Sequence, residues 1–178
     1  MVNAVTLASR SAPHAAIWSA LSAISDPEIP VISLAELGIL RDVQVADDGV
    51  WEVVITPTYS GCPAMGQIED DVQAKLVELG LNARVVTRLA PAWTTDWMSD
   101  AAKEKLRAYG IAPPSRQNCS ASAHTLKFSR RERVVDSVAC PRCGSSDTTE
   151  ITAFGSTACK AQYRCLSCME PFDYFKPY

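Results

Sequence analysis

The chain has 178 residues, of which 47% are hydrophobic and 21% are charged, and its formal net charge at pH 7 is −3. That apolar fraction is enough for a buried core and excludes a wholly disordered chain. No apolar stretch reaches the roughly 18–20 residues that a membrane-spanning helix needs, and a mildly acidic chain is unlike a general nucleic-acid binder. Residues 1–11 lack the apolar core of a secretory signal, so we expect a cytoplasmic protein whose seven cysteines serve metal or redox chemistry rather than disulfides.

Charge and cysteine content divide the chain into two parts. Residues 1–113 carry 14 acidic and 8 basic side chains, whereas residues 114–178 carry 6 acidic and 9 basic ones, together with six of the seven cysteines. The double proline at 113–114 opens a polar run without hydrophobic periodicity, which is typical of a linker. We therefore predict a first domain over residues 11–112, a linker over 113–129 and a second domain over 130–178.

The first part alternates helical and strand patterns. A helix is predicted from Ser11, because apolar residues then recur at helical spacing, and the two prolines in the segment 26–30 end it. The whole pattern has the order α-β-β-α-β-α and predicts a small α+β domain with one mixed sheet and its helices on one face. The predicted elements are the helix from Ser11, strands Leu40–Val45 and Val50–Ile55 around a turn at 47–49, a helix with the apolar stripe Ile68, Val72, Leu76 and Leu79 that stops at Gly80, a strand over Asn82–Leu89, and a helix capped by Ser99 or Asp96 that ends at Tyr109.

The second part has too few aliphatic residues to fold well around a core of its own. Short strands are predicted near 130–138, 151–154, 162–164 and 172–175. Aromatic side chains crowd the last 25 residues. Some of them must pack inside the domain, and the others are candidates for a partner interface. They are Phe154, Tyr163, Phe172, Tyr174, Phe175 and Tyr178.

Two C-x-x-C pairs can stabilise such a small domain. They are Cys140 with Cys143 and Cys165 with Cys168, separated by 21 residues. Each pair turns two thiolates to one side of a tight loop, and two such pairs complete a tetrahedral site of four sulfurs. We predict a small zinc-ribbon β module with a structural zinc ion. Iron stays open as the alternative, because four thiolates suit both metals.

Two further cysteines of the second part are not assigned to this site. Cys159 precedes Cys165 by six residues and is a candidate fifth ligand, although a packed thiol is the commoner use of such a residue. Its spacing does not match the C-x₄-C-x₂-C pattern of a plant-type [2Fe–2S] ferredoxin. Cys119 lies in the predicted linker, and we interpret it as a bystander.

Cys62 is the one cysteine of the first part. Pro63 is a favourable first residue for the helix that carries Ile68, so Cys62 is predicted to be the N-cap of that helix. The positive end of the helix dipole would then lower the pKa of the thiol and make it a better nucleophile or metal ligand. The alternative is a small buried residue that caps a helix without chemistry. Asp26 and Glu28 are spaced to lie on one face of an extended loop, where spacing alone indicates turn residues.

Several classes of enzyme lack their required residues in this sequence. Neither His14 nor His124 has a glutamate three residues earlier, as a carboxylate-bridged di-iron oxygenase requires. There is no G-x-G-x-x-G dinucleotide motif and no P-loop. Both histidines are interpreted as surface or linker residues, which disfavours a Cys-His hydrolase. We therefore expect no catalytic activity from the chain alone.

Four segments of the first part resemble the MIP18-type family, also called SufT-like or DUF59. They are DPEIP at 26–30, SLAELG at 33–38, T-x-x-G-C-P at 58–63 and PAWTTDWMS at 91–99. They stand in the order of the family, and the resemblance covers residues 13–112. It implies a role in iron–sulfur cluster assembly, with Cys62 at the position of the functional cysteine and with Asp26 and Glu28 as its acidic neighbours.

Three segments of the second part are similar to one branch of this family, the accessory D-type components of the ring-1,2-phenylacetyl-CoA epoxidase system of phenylacetate catabolism. They are ACPRCGS at 139–145, FGSTACK at 154–160 and PFDYFK at 171–176. The resemblance implies that the partners are components of the epoxidase. Foremost among them is the reductase, whose plant-type iron–sulfur cluster must be inserted.

The first hypothesis is therefore a maturation factor and not an enzyme. Cys62 would help to place or receive a transient iron–sulfur cluster, with a homodimer as one source of the missing ligands. The second hypothesis is a non-catalytic structural subunit that binds the oxygenase stably and does not depend on Cys62. A nucleic-acid-binding ribbon, suggested by the basic run at 130–133, is a third, but the acidic first domain argues against it. We expect neither nucleic-acid nor membrane partners.

Overall fold

A computed structural model of the chain describes residues 4–114 and 138–178, with the side chains of the first range described from residue 13. The structure has two compact units, one of residues 1–109 together with Tyr178 and one of residues 110–177. The predicted linker from residue 115 onwards, Cys119, His124 and the predicted strand before Val138 lie outside the described residues. Within the described residues, no helix is both long enough and apolar enough to cross a membrane.

The first unit has the predicted α-β-β-α-β-α order with two short additions. The predicted helix start at Ser11 is wrong: the helix begins at Ala4, runs through Pro13 and ends at Leu21. Proline is favoured in the first turn of a helix, but that preference alone does not fix where the helix starts. The two additions were not predicted because a single turn is too short for hydrophobic periodicity. The elements are α1 (Ala4–Leu21), α2 (Leu34–Leu37), β1 (Leu40–Val45), β2 (Trp51–Ile55), α3 (Met65–Glu78), β3 (Ala83–Thr87), a 3₁₀ helix (Thr95–Trp97) and α4 (Asp100–Tyr109).

The sheet of the first unit is mixed, as predicted. β2 is the central strand: it pairs antiparallel with β1, from Leu40 opposite Ile55 to Val45 opposite Trp51, and parallel with β3. The parallel pair requires a crossover connection, and α3 supplies it. α1 packs against β1 and α3, and α3 packs against β3. The core side chains of these elements are Ile17, Leu21, Val43, Val53, Ile55, Ile68, Val72 and Leu76, all of them buried.

The end of α2 is fixed by a glycine that accepts no side chain. Gly38 has a φ of +79°, a region that L-residues avoid, and an added Cβ would lie 2.8 Å from both the Cβ and the backbone oxygen of Trp97. The indole Nε1 of Trp93 donates a hydrogen bond of 3.1 Å to the carbonyl oxygen of Leu37. The segment before α4 therefore lies directly against the C-terminal end of α2.

The described residues of the second unit form a four-stranded sheet of β4 (Ile111–Ala112), β5 (Thr148–Thr152), β6 (Lys160–Cys165) and β7 (Pro171–Phe175). β7 pairs with β4 in parallel and with β6 antiparallel, and β6 pairs antiparallel with β5, which gives the order β4-β7-β6-β5. Ala161, Tyr163 and Cys165 alternate along β6 and are buried, as expected for a strand with one face in a core. Phe154, predicted at the end of a strand, lies beyond β5 and is exposed.

Gly38→Ala should destabilise the first unit more than Gly49→Ala does. Both glycines have a φ near +80°, but an added Cβ meets Trp97 at Gly38 and nothing within 4 Å at Gly49. The strained φ alone should lower the free energy of unfolding by about 1 kcal/mol in Gly49→Ala. The collision should bring the loss to about 3 kcal/mol in Gly38→Ala.

Urea denaturation of the whole chain, followed by tryptophan fluorescence, measures this difference. All four tryptophans lie in the first unit, so the signal reports that unit. Equal losses in the two variants would contradict the close packing of Gly38 against Trp97.

Candidate functional site

The backbone folds each C-x-x-C pair into the same kind of tight loop. In the first pair, the N–H of Gly144 donates to the carbonyl of Cys140 at 2.9 Å, and Gly144 has a φ of +77°. In the second, Cys165 is the last residue of β6, its N–H donates to the carbonyl of Glu170 at 3.0 Å, and Met169 has a φ of +64°. The residue with positive φ directly follows the second cysteine in both pairs. Such a turn directs the two thiols of a pair to one side.

The two loops bring the four predicted metal ligands together. The four Sγ atoms lie within 4.8 Å of one another, with 3.8 Å between Cys140 and Cys168 and 3.5 Å between Cys143 and Cys165. A tetrahedral zinc ion with Zn–S distances of about 2.3 Å has sulfurs about 3.8 Å apart. The spacing of the thiols therefore fits a four-coordinate metal ion.

The pKa values of these thiols show why so close a group favours a cation. The backbone N–H of Cys168, 3.4 Å from the Sγ of Cys165, lowers the pKa of Cys165 to about 6. The backbone N–H of Glu170 lowers the pKa of Cys168, but desolvation and the three neighbouring thiols outweigh it and raise that pKa to about 12. Four thiolates at these distances repel one another. A divalent cation allows all of them to ionise near neutral pH.

Cys159 lies outside this group of four thiols. The residue is buried, and its Sγ is 3.0 Å from the Oγ1 of Thr157. Its backbone carbonyl accepts a hydrogen bond of 2.9 Å from the N–H of Lys176. Of the two interpretations, the structure favours a packed thiol over a fifth ligand.

Cys62 lies in the connection between β2 and α3, but it is not the N-cap of the helix. α3 begins at Met65, its N-cap is Ala64, and Pro63 belongs to a turn before the helix. Cys62 is shared by two successive hydrogen-bonded turns. Its N–H donates to the carbonyl of Tyr59 at 3.2 Å, and its carbonyl accepts from the N–H of Met65 at 3.3 Å. The predicted N-cap position is therefore wrong, and with it the argument from the helix dipole. The thiol belongs to a half-buried residue in a defined turn.

Three aromatic side chains form a group that includes Tyr59, the residue where this turn starts, and no sequence pattern indicated this grouping. The ring of Tyr59 is stacked on that of Tyr178, with centroids 6.4 Å apart and an angle of 13° between planes. Tyr178 also meets Trp93 edge to face, with centroids 6.2 Å apart. From the sequence, Tyr178 is predicted to belong with the aromatic residues of the second part. No local pattern signals a contact between residues so far apart in the chain.

Asp26 is turned inward and supports its own loop. The residue is only 6% exposed, and its Oδ1 accepts hydrogen bonds from the backbone N–H groups of Glu28 at 2.9 Å and of Ile29 at 2.8 Å. Glu28 is half-buried. Asp26 thus caps the turn in which both acids lie. His14, expected at the surface, lies on α1 and is partly exposed.

Two protein families match the two parts of the chain. The iron-sulfur cluster assembly protein family matches residues 14–87, and the PaaD zinc beta ribbon domain family matches residues 125–176. The crystal structure of a DUF59 domain from Bacillus anthracis superposes with a TM-score of 0.51 at 30% identity and covers 56% of this chain and 96% of that one. The first match includes Cys62, and the second includes the four clustered cysteines.

Curated relatives agree with both matches. A protein named as the D component of 1,2-phenylacetyl-CoA epoxidase, from Escherichia coli strain K12, is 48% identical over 161 residues, which is 90% of each chain. The Fe-S protein maturation auxiliary factor YitW of Bacillus subtilis strain 168 is 36% identical over 49% of this chain and 86% of its own length. The factor SufT of Staphylococcus aureus strain USA300 is 39% identical over 45% of this chain and 92% of its own length.

The maturation factors match about half of this chain, whereas the epoxidase component matches nearly all of it, ribbon included. The chain therefore belongs to the PaaD family, in which a domain of the iron–sulfur cluster assembly (DUF59/MIP18) type is joined to a zinc ribbon.

Proposed function

We propose that this chain is a non-catalytic accessory protein of a phenylacetyl-CoA epoxidase system that assists the assembly or insertion of the iron–sulfur cluster of the reductase. The observation that carries the proposal is the position of Cys62. It lies in a hydrogen-bonded turn, half-buried, within the segment that matches the cluster-assembly family. The similarity to the D component of the epoxidase supports the choice of client.

Cys62 would act as a ligand for iron in transit. A thiolate is the usual protein ligand of iron–sulfur clusters, which are commonly held by four of them. One turn of one chain offers one such ligand, and in this proposal the cluster takes its others from the client or from a second copy of this chain. A cluster held in this way is bound transiently and can be passed on. The cluster is thus the cargo of the protein and not its resident cofactor.

Asp26 and Glu28 would place negative charge in the same unit. Asp26 already uses Oδ1 to hold its turn, so the contribution proposed for it is the negative charge of its carboxylate. Glu28 is half-buried beside it in the chain. We include both acids in the proposed site as residues that favour a cation.

The four clustered cysteines would hold one structural zinc ion. Zinc binding to such sites contributes roughly 10–16 kcal/mol in small peptides, and it would stabilise a unit whose core is small. In this proposal the second unit performs no chemistry. It provides a folded surface for the epoxidase components, which we place in the cytoplasm.

Cys62→Ser should abolish the function of the chain in cells without unfolding it. Because serine cannot replace a thiolate ligand, we expect epoxidase activity to fall by about tenfold or more in a strain that depends on this chain. The free energy of unfolding should change by less than about 1 kcal/mol. Iron in the reductase purified from the same cells should fall in parallel.

Cys159→Ser is the matched control, since it removes a thiol outside both proposed sites and should keep normal activity. Normal activity in Cys62→Ser would contradict the maturation role. Stable co-purification of that variant with the oxygenase would then favour a structural subunit.

Asp26→Asn should remove the negative charge of residue 26 while the loop keeps its structure. The amide keeps an oxygen that can accept from the N–H groups of Glu28 and Ile29, so the free energy of unfolding should stay within about 1 kcal/mol of the wild type. Asp26→Ala leaves these groups without an acceptor and should cost about 1–3 kcal/mol. We expect epoxidase activity to fall in Asp26→Asn, with Glu28→Gln as the comparison. Full activity in Asp26→Asn would restrict Asp26 to its structural role.

Cys165→Ser should lose the bound metal, whereas Cys159→Ser should keep it. Both residues are buried in the second unit, but only Cys165 belongs to the group of four thiols. Zinc, iron and acid-labile sulfide per chain should be measured on protein purified without oxygen, together with the trypsin resistance of residues 138–178. We expect one zinc ion, no sulfide and a resistant second unit in Cys159→Ser, and loss of zinc and resistance in Cys165→Ser. Iron in place of zinc would contradict the zinc assignment.

A further inference from the structure

Tyr178 is a member of the first unit, although the rest of its neighbourhood in the chain is not. Its ring and its backbone both contact residues of this unit. Its ring is stacked on Tyr59 and meets the edge of Trp93, and its backbone carbonyl accepts a hydrogen bond of 3.3 Å from the N–H of Thr95. Aromatic pairs with these centroid distances attract one another beyond the area they bury.

On one side, Tyr178 contacts a part of the unit that cannot move easily. Trp93 is only 4% exposed, and its Nε1 donates a hydrogen bond to the carbonyl of Leu37 at the end of α2. Thr95, whose N–H binds the Tyr178 carbonyl, begins the 3₁₀ helix that follows. Tyr178 therefore rests on a surface fixed by hydrogen bonds and by burial.

On its other side, Tyr178 contacts the residue from which the Cys62 turn starts. The carbonyl of Tyr59 accepts the N–H of Cys62 at 3.2 Å. The ring of Tyr59 lies beside Gly61, where an added Cβ would be 3.6 Å from its Cε2 atom. The ring of Tyr59 thus lies between Tyr178 and the backbone that leads to Cys62.

We propose that Tyr178 is a positioning residue for Cys62. By stacking on Tyr59, it fixes the turn that presents the thiol, with Trp93 as its support. The importance of this positioning for cluster transfer rests on the function proposed above for Cys62. The positioning itself is a property of the turn, and it can be measured without any cluster.

The rate at which Cys62 reacts with iodoacetamide tests the proposal. Full-length protein carrying its metal is alkylated for increasing times, and the peptide that contains Cys62 is quantified by mass spectrometry. Tyr178→Ala removes the ring contacts with Tyr59 and Trp93, which loosens the turn that holds the thiol, so we expect alkylation to be about three- to tenfold faster. Tyr178→Phe keeps the ring and should react at the rate of the wild type.

Tyr109→Ala is the matched control. Tyr109 is an exposed tyrosine at the end of α4 in the same unit, and its loss should leave the rate unchanged. An unchanged rate in Tyr178→Ala would overturn the proposal. It would also be overturned by equal acceleration in Tyr109→Ala, or by failure of Tyr178→Phe to restore the wild-type rate.

Epoxidase activity in cells separates this proposal from the proposed function. If both proposals hold, Tyr178→Ala lowers activity and Tyr178→Phe does not. If alkylation is accelerated in Tyr178→Ala but Cys62→Ser keeps normal activity, the positioning of the thiol stands and the maturation role fails.

Discussion

The close approach of Gly38 to Trp97 is the contact on which the arrangement of the first unit depends. Any Cβ at residue 38 would lie 2.8 Å from the backbone oxygen of Trp97, so the loop before α4 can lie against the end of α2 only because the residue is glycine. This placement lets Trp93 reach the carbonyl of Leu37. Trp93 is in turn the ring that supports Tyr178. One backbone contact thus organises the surface that leads to the turn of Cys62.

In the second unit, repulsion among the four clustered cysteine thiolates is the main constraint on the structure. The unit has a small core built from alternate residues of short strands, and its C-x-x-C loops force four thiols within 4.8 Å of one another. Hydrogen bonds from the backbone ease the ionisation of Cys165, whereas the neighbouring thiols and desolvation oppose that of Cys168. The polypeptide alone therefore cannot make this arrangement favourable as four thiolates. A metal ion bound by the four sulfurs would convert the repulsion into attraction, and it would link folding of the unit to metal binding.

Local patterns in the sequence predicted most helices and strands, but they could not predict contacts between residues that are distant in the chain. The strand Leu40–Val45 has the predicted bounds, and Ser99 caps α4 by accepting at its Oγ a hydrogen bond of 3.0 Å from the N–H of Ala102, because alternation and capping are properties of neighbouring residues. Cys62 was misplaced because a proline favours both the first turn of a helix and the turn before it. Tyr178 was assigned to the second part by its position in the chain, whereas it belongs to the first unit, because its partners are known only once the chain has folded.

The two kinds of cysteine site suggest a division of roles within the chain. Among the side chains that the structure describes, the four ribbon cysteines form the one group of three or more Cys, His, Asp or Glu residues spaced to hold a metal ion. A complete set of ligands retains its metal, because any exchange must break several bonds at once. Cys62 lies outside this group, and in the function proposed above, iron at Cys62 would take its further ligands from another molecule. An incomplete site of this kind would suit transfer, and under the positioning proposed for Tyr178 the rigidity of the turn would decide how accurately the single thiol is presented to a partner.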